Sequence, residues 1–131
     1  MFSPARAWRE APQRYRLEAV QCGKCSRILH PPRLVCPACG GREFTDVVLP
    51  RTGKVLTYTV VRVPPAGYTE QTPLPIALVE LDNGVRVMVQ IGDVADPASL
   101  SVGMPVRLEF RRVSSDGEAG VIFYGHKAVP A

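Results

Sequence analysis

The sequence lacks any long hydrophobic run. No apolar stretch in its 131 residues approaches the roughly 20 residues that a membrane-spanning helix needs. The first residues, MFSPARAWREAPQRYR, also lack the hydrophobic core of a signal peptide. We therefore expect a cytoplasmic protein, and in that compartment cysteines bind metal more often than they form disulfides.

The sequence is equally short of catalytic motifs. It has two histidines, His30 and His126, and nothing near either one supports a Ser-His-Asp arrangement. The glycines of CGGREF lack the lysine and the strand-to-helix context of a phosphate-binding loop, and no Gly-x-Ser-x-Gly elbow is present. We predict that the chain does not catalyse a reaction by itself, that His30 has a surface or packing role, and that His126 is an ordinary strand residue.

The excess of positive charge is confined to the N-terminal part of the chain. Residues 1–46 contain eight Lys or Arg and four Asp or Glu, a balance of +4, whereas residues 47–131 contain eight of each. Four thiolates on one zinc ion add minus four plus two, which leaves about +2. A general nucleic-acid-binding protein usually has a larger positive excess, so the charge disfavours this class.

The N-terminal segment, residues 1–16, predicts one short helix. Ser3 can cap it, Pro4 suits its first turn and Pro12 should end it. Trp8 is the large apolar side chain of this helix. Because so short a helix is unstable alone, it must dock on its own domain or on a partner.

Residues 47–131 predict five strands and no convincing helix. VRVMVQI and VRLEF alternate apolar with polar residues, which indicates strands with one buried face and assigns Phe110 to the core. Asn83-Gly84 lies between IALVELD and VRVMVQI and is a strong hairpin signal. Five antiparallel strands favour an OB-type barrel over a sandwich, which usually needs about seven strands. The fold class is therefore mainly β.

Two Cys-x-x-Cys pairs, CGKC and CPAC, are separated by ten residues and form the most specific motif. Zn²⁺ prefers four tetrahedral ligands, and two such turns supply four thiolates. Residues 17–46 have too few strong apolar residues to fold without a metal or a crosslink. A redox Cys-x-x-Cys and a rubredoxin-like iron site are the alternatives. We predict one structural zinc ion bound by Cys22, Cys25, Cys36 and Cys39.

The order of motifs along the chain resembles a known family. WRE…RYRLEAVQCGKC, PPRLVCPACG, GKVLTYTVVRVPPAGY, PLPIALVELDNGVR, VGMPVRLEF and GVIFYGHKAVP are similar to the zinc-ribbon/OB-fold family of acyl-CoA-associated accessory proteins. The resemblance covers nearly the whole chain. It implies an N-terminal helical piece, a rubredoxin-like zinc ribbon with the four cysteines as ligands, and a C-terminal OB fold. It also implies partnership with thiolase-superfamily enzymes, such as acetoacetyl-CoA thiolase with hydroxymethylglutaryl-CoA synthase, or with a related acyltransferase.

This resemblance suggests a non-catalytic scaffold that also helps to hold coenzyme A. The phosphates of CoA need cationic or backbone donors, and its adenine ring suits an aromatic neighbour. Aromatic residues are also favoured at interfaces. A nucleic-acid-binding ribbon–barrel protein and a redox protein with iron in the four-cysteine site are the alternative functions. The candidate partner contacts are Trp8, Tyr15 and Tyr68, and the candidate CoA-binding residues are Arg33, Arg51, Lys54, Tyr68, Tyr124 and Lys127.

Overall fold

The computed structural model describes residues 3–63, 73–94, 96–115, 119–120 and 122–131. Two short helices, α1 (Pro4–Arg9) and α2 (Ala11–Tyr15), begin the chain, and a 3₁₀ helix, Pro97–Ser99, precedes the last two strands. No helix among the described residues is long and apolar enough to cross a membrane. The strands are β1 (Glu18–Cys22), β2 (Ile28–Leu29), β3 (Phe44–Val48), β4 (Thr52–Val61), β5 (Leu74–Leu81), β6 (Arg86–Gln90), β7 (Pro105–Ser115) and β8 (Ile122–Pro130).

The N-terminal segment contains two helices instead of the single one expected. The prediction that Pro12 ends the helical segment is wrong. Pro12 lies in the first turn of α2, where its missing N–H is not needed by the helix. α1 begins after Ser3, whose side chain makes no capping hydrogen bond. Trp8 on α1 is 82% exposed, so its ring does not dock on the described part of the chain.

β1, β2 and β3 form a small antiparallel sheet in the order β2-β1-β3. β1 pairs with β3 along its whole length, from Glu18 opposite Val48 to Cys22 opposite Phe44. Cys22, the first cysteine of the metal motif, is thus the last residue of a paired strand. The sheet fixes the backbone from which the first Cys-x-x-Cys turn departs.

β4 to β8 form the five-stranded barrel sheet that the sequence predicts. Its order is β6-β5-β4-β7-β8, its pairs are antiparallel, and a parallel bridge between Ile91 and Ala128 nearly closes it. The Asn83-Gly84 hairpin joins β5 to β6 as predicted. Gly84 has a φ of 85°, a left-handed conformation that favours glycine, and Asn83 Oδ1 accepts a hydrogen bond from the Val85 N–H at 3.2 Å.

One hydrophobic core joins the small sheet to the barrel. Leu17, directly before β1, and Ala19 of β1 belong to the same buried cluster as Val55, Val79 and Val106 of the barrel. The three valines are at most 1% exposed. Order in the small sheet is therefore coupled to packing in the barrel. The predicted division of the chain into segments 1–16, 17–46 and 47–131 stays a prediction.

Phe110 is exposed, which corrects its assignment to the core. Alternation places Val106, Leu108 and Phe110 on one face of β7, and the first two are buried, but Phe110 is 47% exposed. The pattern fails because β7 pairs with β4 over residues 105–107 alone among the described residues, so its later part leaves the closed barrel. Tyr15 of α2 meets the Phe110 ring there, edge to face, with ring centroids 5.4 Å apart.

Candidate functional site

Two turns of the same geometry present the four cysteines. In the first turn, the Ser26 N–H donates to the Cys22 carbonyl at 3.0 Å, and in the second, the Gly40 N–H donates to the Cys36 carbonyl at 2.9 Å. Ser26 and Gly40 have left-handed φ angles of 62° and 73°. The chain therefore reverses directly after each Cys-x-x-Cys pair, and each pair closes into a tight turn.

The four sulfur atoms converge on one point. All of them lie within 4.8 Å of one another. Cys22 Sγ lies 3.5 Å from Cys39 Sγ, and Cys25 Sγ lies 3.5 Å from Cys36 Sγ. A tetrahedral zinc ion with bonds of about 2.3 Å separates its sulfur ligands by about 3.8 Å, so the spacing fits a single ion. Four thiolates close the coordination shell and leave no position for a substrate.

Backbone N–H groups in the two turns favour negative charge on sulfur. The Cys25 and Lys24 N–H groups lower the pKa of Cys22 to about 6, and the Cys39 N–H lowers the pKa of Cys36. The Arg27 N–H acts in the same direction on Cys25. However, Cys36, burial and the other two thiols outweigh it and raise the pKa of Cys25 to about 11. Crowded thiolates repel one another, and a divalent cation removes that repulsion.

Gly41 is a part of this centre that the sequence interpretation missed. A Cβ atom added at Gly41 would lie 3.2 Å from Cys22 Sγ and 3.3 Å from Cys39 Sγ. The neighbouring Gly40 has nothing within 4 Å of such an atom. The signal was present in the sequence, since Gly40 and Gly41 directly follow Cys39. Gly40 allows the left-handed turn, and Gly41 leaves space for the two sulfurs.

The two histidines hold the end of α2 and lie outside the sulfur cluster. His30 Nε2 lies 3.2 Å from the Gln13 carbonyl oxygen, and His126 Nδ1 lies 3.0 Å from the Arg14 carbonyl oxygen. Carbonyls in the last turn of a helix have no intrahelical partner. Burial, more than any other influence, lowers the pKa of His126, which suits a neutral ring donating from Nδ1. His126 is thus more than the ordinary strand residue expected.

Three exposed aromatic rings form one cluster on the barrel. Phe110 lies at its centre, stacked on Tyr124 at 5.4 Å with an interplanar angle of 12° and met edge-on by Tyr15 at 5.4 Å. His126 lies 5.8 Å from Phe110, also edge-on. Tyr15 and Tyr124 are 36% and 38% exposed. We call Tyr15, Phe110 and Tyr124 the aromatic cluster, and it joins α2 to β7 and β8.

Two of the candidate CoA-binding residues share one cavity. Tyr124 and Lys127 line a cavity of about 230 Å³ between β6 and β8. Burial, followed by the nearby Arg111 and Arg112, lowers the pKa of Lys127. The cavity lining thus includes both an aromatic ring and a partly desolvated cation, and these two kinds of group suit a heteroaromatic ring that carries phosphate.

The other candidates are dispersed. Arg33 lines a separate groove, and Arg51 and Lys54, both exposed, line neither of these two cavities. Tyr68 lies outside the described residues. Of the candidate partner contacts, Trp8 lies on α1 and Tyr15 belongs to the aromatic cluster. The structure therefore does not gather the five described candidates into one site.

A four-cysteine ribbon that shares its core with an OB-type barrel defines a class of zinc-ribbon/OB-fold proteins. Residues 9–45 match the family model "ChsH2, rubredoxin-like zinc ribbon domain", and residues 46–111 match "ChsH2, C-terminal OB-fold domain". The chain belongs to this ChsH2 family of zinc-ribbon/OB-fold proteins. The resemblance found in the sequence motifs is thereby confirmed.

Relatives extend this result over almost the whole chain. A "DUF35 domain-containing scaffold protein" of Methanocaldococcus jannaschii is 42% identical over 126 residues, which cover 95% of this chain and 89% of that one. The "Benzoylsuccinyl-CoA thiolase subunit BbsA" of Thauera aromatica is 32% identical over 75 residues, 57% of this chain and 51% of that one. The solved structure "Ltp2-ChsH2(DUF35) aldolase" aligns with a TM-score of 0.74 and 32% identity, covering 99% of this chain and 96% of that one.

Proposed function

We propose that the chain is a non-catalytic accessory subunit of a thiolase-superfamily acyl-CoA complex in the cytoplasm. The observation that carries the proposal is the 42% identity, over 95% of the chain, to a protein described as a scaffold. The similarity to a thiolase subunit supports the class of partner. Acetoacetyl-CoA thiolase with hydroxymethylglutaryl-CoA synthase, or a related C-acyltransferase, is the complex that the sequence resemblance favours.

The metal in this proposal is one structural Zn²⁺ on Cys22, Cys25, Cys36 and Cys39. Support comes from the convergence of the four sulfurs within 4.8 Å and from the match to a rubredoxin-like zinc ribbon. When bound, the ion supplies charge neutralisation and a crosslink between the two turns. Its role is to order the ribbon, and the recognition of partners falls to other residues.

The aromatic cluster is the proposed contact with the partner enzyme. Tyrosine and other aromatic side chains are enriched at interface positions that contribute most to affinity, because they bury a large area with few rotatable bonds. Phe110 is 47% exposed although it stacks on Tyr124, so a partner can cover the remaining area. Trp8 and Tyr68 are further candidate contacts.

The scaffold also helps to form the CoA site in this proposal. The cavity of Tyr124 and Lys127 is the candidate subsite for the adenine and phosphate groups. Arg33, Arg51, Lys54 and Tyr68 are further candidates. A subunit that completes a shared CoA site keeps an acyl-CoA intermediate at high effective concentration between partner enzymes.

Affinity purification of the tagged chain from its native host tests this function. We expect a thiolase-superfamily enzyme by mass spectrometry and about one zinc per chain by elemental analysis. Phe110→Ala should reduce the recovery of that enzyme, whereas Tyr58→Ala, an exposed tyrosine on β4 outside the cluster, should not. Recovery of nucleic acid or RNA-processing proteins at moderate salt, or of iron with a reversible reduction potential, would contradict the proposal.

A further inference from the structure

A groove of about 860 Å³ lies between the small sheet and the β5–β6 hairpin. The segment around β2 forms one wall, and the β5–β6 hairpin forms the other. Arg27 and Arg33 belong to the segment around β2, and Arg86 is the first residue of β6. Ile28 and Val85, which line the groove as well, pack against the hydrophobic core. We call this feature the ribbon groove.

The ribbon groove is cationic. Its described lining residues include three arginines and no carboxylate. Arg27 and Arg33 are exposed and form no ion pair within the described chain. Arg86 Nε lies 3.7 Å from a Glu80 carboxylate oxygen, but its side chain is 65% exposed. An exposed ion pair of this length contributes about 0–1 kcal/mol, so Arg86 can exchange it for a better anion.

The lining of the groove favours a polypeptide over a free phosphate. Arginines pair with phosphate and with carboxylate alike, so the apolar part of the lining decides between the two ligands. Ile28 and Val85 give the groove an apolar component that a phosphate does not use. A segment with both acidic and apolar side chains satisfies the arginines and the apolar wall together.

We propose that the ribbon groove is the docking site for an acidic segment of the enzyme that this chain accompanies. The proposal rests on the accessory-subunit function and adds a second contact to the aromatic cluster. Carboxylates of the partner pair with Arg27, Arg33 and Arg86, and an apolar residue between them contacts Ile28 and Val85. The groove contributes the charge component of recognition, and the aromatic cluster contributes apolar area.

The test measures affinity between the zinc-loaded chain and the acyl-CoA enzyme that copurifies with it. R27E/R86E reverses two charges in the groove, and R9E/R62E makes the same change at two exposed arginines outside it. We expect the groove variant to raise Kd at least about tenfold at 50 mM salt, and the control to change it less than about twofold. Added salt should raise the Kd of the wild type for the enzyme more than that of the groove variant, because charged contacts contribute less to binding at high ionic strength.

A photoreactive residue identifies the docked segment. With p-benzoylphenylalanine in place of Arg33, the peptide crosslinked from the enzyme should be rich in Asp and Glu. A crosslinked peptide without acidic residues overturns the proposal. So does equal affinity of R27E/R86E and wild type for the enzyme. Loss of coenzyme A binding by R27E/R86E with unchanged enzyme affinity would reassign the groove to phosphate.

A peptide-binding experiment tests the groove even if the accessory-subunit function is wrong. If wild type captures no acyl-CoA enzyme, a fluorescein-labelled peptide of alternating Glu and Leu replaces the enzyme as the probe. Saturable binding to wild type and to R9E/R62E, but not to R27E/R86E, supports acidic docking at the groove. Absence of binding to wild type overturns the proposal.

Discussion

Removal of the metal should destabilise the barrel as well as the ribbon. The variant Cys36→Ser changes a residue that is 1% exposed and whose sulfur lies in the four-cysteine cluster. Structural zinc contributes on the order of 10–16 kcal/mol to the folding of small zinc domains at pH 7. The small sheet has strands of five, two and five residues and offers little else to keep it folded.

The effect on the barrel follows from the shared core. Leu17 and Ala19 pack with the barrel residues and are 5% and 1% exposed. If the ribbon unfolds, exposing them costs about 2 kcal/mol for Leu17 and about 0.8 kcal/mol for Ala19. At about 4 °C per kcal/mol for a domain of this size, the barrel's Tm should fall by about 10 °C.

Differential scanning calorimetry and far-UV circular dichroism measure this shift with and without EDTA. EDTA should lower the Tm of zinc-loaded wild type to that of Cys36→Ser and should leave Cys36→Ser itself unchanged, which is the control for effects outside the centre. An unchanged Tm in both samples would refute the argument. The barrel core would then be independent of Leu17, Ala19 and the metal.

Three further substitutions test the geometry, each with a matched control or reference. Gly41→Ala should weaken zinc binding in a chelator competition, because its Cβ would lie 3.2 and 3.3 Å from two sulfurs. Its control, Gly40→Ala, should lose about 1 kcal/mol of folding stability to left-handed backbone strain but keep a zinc affinity near that of wild type. Gly53→Ala should lower the free energy of unfolding, measured by urea denaturation, by about 2 kcal/mol or more, because its Cβ would overlap the backbone of β5. Its control, Gly92→Ala, whose Cβ would have no atom closer than 3.6 Å, should change that free energy little. Burial lowers the pKa of His126. The stability that its neutral ring provides is therefore present above about pH 6.5 and is lost as the pH falls through the lower pKa of the folded state. The Tm of His126→Ala should depend less on pH between 7 and 5 than the Tm of wild type does.

Local sequence signals predicted the parts of this structure that depend on local geometry. Period-two alternation located β6 and β7, the sequence also predicted the other three barrel strands, and Asn83-Gly84 located the hairpin with its left-handed glycine. The spacing of the four cysteines predicted the convergence of their sulfurs, since each Cys-x-x-Cys turn is closed by hydrogen bonds within a few residues. The zinc content itself stays a prediction until it is measured.

Contacts between distant segments were not accessible in the same way. Alternation assigned Phe110 to the core because it records only which face a residue is on, whereas β7 leaves the barrel near that point and meets α2. The bond of His126 to the Arg14 carbonyl joins residues separated by 112 positions. Residue type alone likewise could not predict that Arg33 lies in the ribbon groove while Tyr124 and Lys127 line another cavity.

The histidine contacts connect the cysteine ribbon to the barrel through α2. His30 lies beside β2, and His126 lies in β8, yet both bind adjacent carbonyls at the end of α2. Tyr15, the last residue of that helix, packs on Phe110. Ribbon, helix and barrel are therefore joined at one point in addition to their common core. If both proposed recognition surfaces contact one enzyme, a separation fixed beforehand strengthens binding, because less entropy is then lost in the complex. In the proposed function, a zinc ion without an open coordination position would provide this by ordering one wall of the ribbon groove relative to the aromatic cluster.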